Sequence, residues 1–180
     1  MRINILILLM FSIILLAGCD NEKSDKSMGQ SSAASQSNEQ ELAACDLLTP
    51  ADIEAVTGEA MEAGEHRGYE CKFKSIARNE YDVPRISIRV RLEFSRQTPQ
   101  EQLKLYNANM AKGMGEEFKP APIKGVGDDA YWDDKYGVIM ASKSVGGSRS
   151  ALVLIQPIDV AKEKSFEIAK SLAIKAFEKL

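Results

Sequence analysis

The sequence predicts an α+β domain: a mostly antiparallel sheet of about five strands with three helices packed on it. Three observations carry that expectation. Residues 85–95, RISIRVRLEFS, alternate without a break between apolar and polar side chains. Two stretches, TPAD at 49–52 and TPQE at 98–101, repeat one helix-starting signature. The closing stretch DVAKEKSFEIAKSLAIKAFEKL has a single apolar stripe at helical spacing.

The chain begins with the parts of a secretory signal over residues 1–18. Arg2 gives the positive start, Ile3 to Leu16 the apolar run, and Ala17 and Gly18 the small residues before cleavage. The run is shorter than the roughly 20 residues a spanning helix needs. Leu16-Ala17-Gly18-Cys19 resembles the bacterial lipobox. That resemblance implies diacylglyceryl attachment to the Cys19 sulfur, cleavage before Cys19 and acylation of the new amino terminus. Two or more acyl chains suffice to hold a protein on a bilayer. Asp20 and Asn21 follow, and an Asp in that place resembles the inner-membrane retention signal of Gram-negative lipoproteins. The expected home is the periplasmic face of the inner membrane. The plain alternative is an ordinary signal peptide with an incidental cysteine.

Residues 19–44 are expected to form a lipidated, flexible tether. Their Ser, Gln, Asn, Glu and Lys content leaves too little apolar surface to fold. As a coil the segment would span roughly 25–30 Å. One domain is expected over residues 45–180, and no internal repeat is evident. The whole chain has 23 basic and 26 acidic residues. Loss of Arg2 on processing takes the charge from −3 to −4. So mild a balance argues against a general nucleic-acid binder.

The domain opens with CDLLTPADIEAVTGE. Thr49 caps, Pro50 suits the first helical position, Asp52 completes a capping box and Gly58 stops the helix. Leu48, Ile53 and Val56 face inward. In YECKFKS, alternation puts Tyr69, Cys71 and Phe73 on one face and Glu70, Lys72 and Lys74 on the other. In residues 85–95 the buried set is Ile86, Ile88, Val90, Leu92 and Phe94. Thr98, Pro99 and Glu101 then start a second helix, with Leu103, Tyr106 and Met110 on one stripe and Gly113 or Gly115 at its end. A loop, KPAPIKGVGDD, leads to AYWDD. YGVIMASK and SRSALVLIQ flank the turn SVGG as a hairpin, apolar on both faces and therefore central. Phe166, Ala169, Leu172, Ala173, Ala176, Phe177 and Leu180 line the last helix.

With Cys19 lipidated, Cys45 and Cys71 remain. An even pair in an exported domain reads as a disulfide, against two free thiols or a metal pair. Two cysteines so far apart, with His66 as the only histidine, make a poor zinc set.

Signals for catalysis are weak. His66 with Glu62, Glu65 and Glu70 suggests a metal cluster, but Gly64 and Gly68 interrupt any helix, and a solvated loop explains the stretch as well. Asp128, Asp129, Asp133 and Asp134 surround Tyr131 and Trp132, and carboxylates at short spacing can hold calcium. The alternate-ligand calcium loop is missing, and a turn into a strand explains the same residues. Gly146-Gly147-Ser148 is not a nucleophile elbow, and Gly125-x-Gly127 precedes a strand rather than a helix. No cofactor is implied.

The more informative feature is the wet face of the two early strands, which gathers Lys72, Lys74, Arg85, Arg89 and Arg91. Such a patch suits anionic phospholipid headgroups, a cell-wall polymer or an acidic envelope protein; solubility and protection of the edge are the bland reading. Cys45-Asp46-Leu47-Leu48-Thr49, the strand cysteine Cys71 and the segment Gly125-Val126-Gly127-Asp128-Asp129-Ala130-Tyr131 together resemble small bacterial lipoproteins of unknown function. That resemblance implies a PsbP-like α/β sandwich and no activity. The expectation is a non-enzymatic, membrane-anchored binding module. The alternative is an envelope hydrolase or metal-dependent enzyme using carboxylates near Asp128–Asp134.

Overall fold

The computed structural model describes residues 42–115 and 118–180. The signal stretch, Cys19, Asp20, Asn21 and nearly all of the expected tether lie outside the described residues.

A short 3-10 turn, Ala44–Asp46, precedes helix α1, Pro50–Thr57. The capping box forms as the sequence predicts. The Asp52 amide donates to Thr49 Oγ1 at 3.1 Å, and the Thr49 amide donates to the Asp52 carboxylate at 2.9 Å. The Thr49 amide and the Thr49 hydroxyl, both donating to the carboxylate, hold the Asp52 carboxyl below its usual range, with Lys179 and Lys175 adding to the effect. Gly58 closes the helix at φ 74°, a left-handed position where a side chain would be strained.

Strands β1, Glu65–Arg67, and β2, Glu70–Lys74, follow, then β3, Ser87–Ser95. Helix α2, Pro99–Met114, is capped by Thr98 and Glu101 and closed at Gly115. Strands β4, Ala121–Ile123, β5, Asp129–Asp133, β6, Val138–Gly146, and β7, Arg149–Ile158, lead to helix α3, Lys162–Phe177. All seven strands join one antiparallel sheet in the order β1-β2-β3-β7-β6-β5-β4.

The count of about five strands is thus corrected to seven. The two additions, β1 and β4, are three residues long and close the two edges. Neither has an alternation of its own; each exists because a longer neighbour offers it a ladder. The hairpin strands β6 and β7 are central or next to central, as their two-sided apolarity predicts. Tyr69 departs from expectation. It is 72% exposed, because it sits in the β1–β2 turn, beyond the first residue of β2.

Helices pack on both faces of the sheet. On one face α3 lies against β6 and β7, α1 lies against α3, and the 3-10 turn lies against β2 and β3. Leu47, Leu48, Ile53, Phe73, Ile88, Val90, Val153, Ile155, Leu172 and Phe177 form the larger core there. Cys45 is bonded to Cys71, with Cα atoms 5.0 Å apart, so the root of α1 is stapled to β2. On the other face α2 packs chiefly on β5, β6 and β7. The smaller core there contains Leu103, Phe118, Val138, Met140, Leu152 and Leu154.

A buried polar group fixes α2 in place. Gln102 donates to the Glu93 carbonyl at 3.2 Å, and its Oε1 accepts from Ser142 and Ser150, each at 2.8 Å. One side chain therefore ties α2 to β3, β6 and β7. Replacing Gln102 by Leu strands the Ser142 hydroxyl, whereas Ser150 keeps the Gln97 carbonyl at 2.8 Å and the Glu93 carbonyl keeps its place in the β3–β7 ladder opposite Leu152. One orphaned group should cost about 1–3 kcal/mol. Urea unfolding of Gln102→Leu, read as a shifted midpoint at unchanged slope, checks this.

Candidate functional site

The sheet's second face is covered by α2 on one half only. The other half, on β1, β2 and β3, is the charged face that the sequence predicts, and its register is now explicit. Glu65 lies opposite Lys72, Arg67 opposite Glu70, Glu70 opposite Arg91, and Lys72 opposite Arg89. Lys72, Lys74, Arg89 and Arg91 share this face, all of them half-buried, and Arg67 joins them from β1. Arg85 does not join them. It precedes β3, is exposed, and reaches Glu59 at 3.3 Å.

The face is an interleaved array rather than a uniformly basic one. Lys74 and Arg67 both bind Glu65, at 3.2 and 2.6 Å. Arg89 Nε lies 3.7 Å from Glu70, and Arg91 Nη2 lies 2.5 Å from Glu93. Five cations meet three carboxylates, which leaves an excess of two positive charges. Exposed pairs of this kind contribute little to stability. Their effect is to hold the guanidinium groups in position. Alternation along β2 and β3 could reveal the cations. It could not reveal Glu65 or Arg67, whose strand has no pattern of its own.

Where the uncovered half meets α2 there is a groove of about 210 Å³. One wall is Glu70, Arg89 and Arg91. The facing wall is Tyr106, Met110 and Met114, spaced four residues apart on α2. Val138 and Leu154 form the floor, and Tyr136 and Gln156 line it as well. Arg89 Nη1 donates to Gln156 Oε1 at 3.1 Å, and Gln156 Nε2 donates to the Tyr136 carbonyl at 2.9 Å. Arg89 is therefore braced from two sides. Arg91 is less fully satisfied: its Nε is shut off from solvent and has no hydrogen-bond acceptor. Burial pushes the Tyr106 phenol above its ordinary pKa, with Arg91 opposing the shift, so it stays a neutral donor. A broader and more open hollow of about 550 Å³ lies between Ala43 and Phe94, bordering the first described residues.

The aspartates of the alternative reading are dispersed. Asp133 is buried and accepts from the Tyr136 amide at 2.9 Å and the Lys119 amide at 3.1 Å. Asp128 accepts from the Ser144 amide at 2.8 Å, and Asp134 pairs with Lys162 at 2.7 Å. Asp129 begins β5 opposite Ser142. Gly127 explains the local tightness, since a Cβ there would lie 2.6 Å from the Ser142 carbonyl oxygen at φ 58°. Tyr131 packs toward the smaller core, and Trp132 stacks edge-on against Phe166 at 5.3 Å. These carboxylates shape turns.

The His66 group is dispersed as well. His66 is exposed and sits opposite Cys71, so it points to the other face from Glu65. Glu62 is engaged by Arg78. Among the described residues, no three His, Cys, Asp or Glu side chains come close enough to hold a metal ion. Among them, too, no helix is long and apolar enough to cross a membrane.

Fold and face together define a class of protein: an antiparallel α+β domain, braced by one disulfide, with one sheet face half covered. Comparison with protein-family models, with curated proteins and with solved structures found no match.

Proposed function

We propose that the protein is a membrane-anchored, non-enzymatic binding module of the bacterial envelope. The observation that carries this reading is the uncovered half of the sheet, where Arg89, braced by Gln156, and Arg91 stand beside an apolar groove. The Leu16–Cys19 lipobox supports acylation at Cys19, and Asp20 and Asn21 support retention at the periplasmic face of the inner membrane. The Cys45–Cys71 bond suits an oxidising compartment. Kinship with PsbP-like sandwiches is part of the same proposal, supported by helices on both faces of an antiparallel sheet. The partner class is anionic: phospholipid headgroups, a cell-wall polymer or an acidic envelope protein. A tether raises the effective concentration of such partners, so weak contacts suffice.

Cosedimentation tests the face, using the Cys19→Ser chain and vesicles containing anionic phospholipid. Binding is expected to fall as salt shortens the Debye length, and to fall about tenfold in Arg89→Ala plus Arg91→Ala. Binding that ignores both changes removes this face from the function. Mass spectrometry of the mature chain tests the anchor independently.

A further inference from the structure

We propose that the groove between α2 and β3 binds a single-chain anionic amphiphile of the fatty-acid type. Its carboxylate would rest on Arg89 and Arg91, and its chain along Met110, Met114, Val138 and Leu154. The inference rests on the binding-module reading and specifies what the module holds.

The chemistry of the lining selects this ligand. The groove is apolar along one wall and its floor, and charged along the other wall. A wholly polar ligand would leave the methionine and leucine surface wet, and a hydrocarbon would leave the guanidinium groups without a use. A molecule with one charged end satisfies both. Planar guanidinium groups match a carboxylate through paired hydrogen bonds. Across the whole face five cations meet three carboxylates, so the local field favours an anion over a cation. Arg89 is positioned in advance by Gln156. Arg91 holds Glu93 through Nη2, and its Nε has no acceptor.

Size restricts the ligand further. About 210 Å³ is below the usual range for a drug-sized pocket and suits one chain rather than the two of a phospholipid. Methionine is flexible and polarizable, so two of them four residues apart form a wall that adapts to chains of differing length. Helix α2 packs chiefly over β5–β7, so the seam between it and β3 stays unfilled by the fold itself.

Calorimetric titration of the Cys19→Ser chain tests the proposal, with dodecanoate below its micellar concentration as the probe. Saturable binding at one site is expected, with butanoate at least 100-fold weaker and dodecyltrimethylammonium not bound. Arg89→Ala plus Arg91→Ala should weaken dodecanoate at least tenfold. Met110→Glu, which puts a carboxylate on the apolar wall, should do the same. Circular dichroism and an unchanged melting temperature verify that the variants fold. The inference is overturned by absence of saturable binding, by equal affinity for dodecanoate and butanoate, or by indifference to Met110→Glu. Vesicle binding that still depends on Arg89 and Arg91 would then leave the module reading standing without its amphiphile.

Discussion

Opening the Cys45–Cys71 bond is expected to lower stability by about 3.5 kcal/mol, because the bond closes a 26-residue separation in the unfolded chain. For a domain of this size that corresponds to a fall in melting temperature of about 10 °C. Cys71 is fully buried in the larger core, and Cys45 packs against that core at the root of α1. Breaking the bond leaves both side chains where they pack, so the loss acts mainly through the unfolded ensemble. Cys45→Ala plus Cys71→Ala measures it, compared in urea with the parent chain before and after reduction. The reduced parent and the double variant should agree within about 1 kcal/mol. A loss below about 1 kcal/mol in both would mean that residues 45–71 are already drawn together when unfolded.

Replacement of Phe73 by Ala should cost about 3–5 kcal/mol, at the upper end for a core aromatic. Phe73 is 1% exposed in the middle of β2, opposite Ile88. Its ring lies against the backbone of Gly64: a Cβ at position 64 would come within 2.8 Å of the ring and 2.5 Å of Cys71 Sγ. The Gly64 backbone and the disulfide sulfur of Cys71 close against the ring resist collapse into the space, so a cavity remains. The same contact makes a second, sharper expectation. Gly64→Ala alone overpacks the site and destabilises. Combined with Phe73→Leu, it should cost less than the two separate losses added together, since the smaller side chain makes room. Strict additivity in equilibrium unfolding would show that Gly64 and Phe73 do not share that space.

Much of the fold is legible in short stretches of sequence. The two Thr-Pro capping boxes, the eleven-residue alternation around β3, the central hairpin and the stripe of α3 each depend on residues within one or two turns or pleats of one another. Cysteine parity and the placement of Cys71 on the core side pointed to the disulfide that the structure contains. The edge strands escaped. Three residues contain too little pattern to register a period, and their pairing energy comes from β2 and β5. Tyr69 is exposed for a related reason: alternation continues past the point where the covering elements stop.

Taken alone, the sequence determined the capped helices, the alternating strands and the cysteine pair. Backbone hydrogen bonding and side-chain periodicity are local, so a few neighbouring residues suffice to specify them. Only the tertiary structure decided that α2 shields half of its sheet face, that Glu59 draws Arg85 away, and that Arg89, Met110 and Leu154 meet around one groove. Those residues are dozens of positions apart, and they come together through sheet register and the hydrogen bonds of Gln102, which no local pattern encodes.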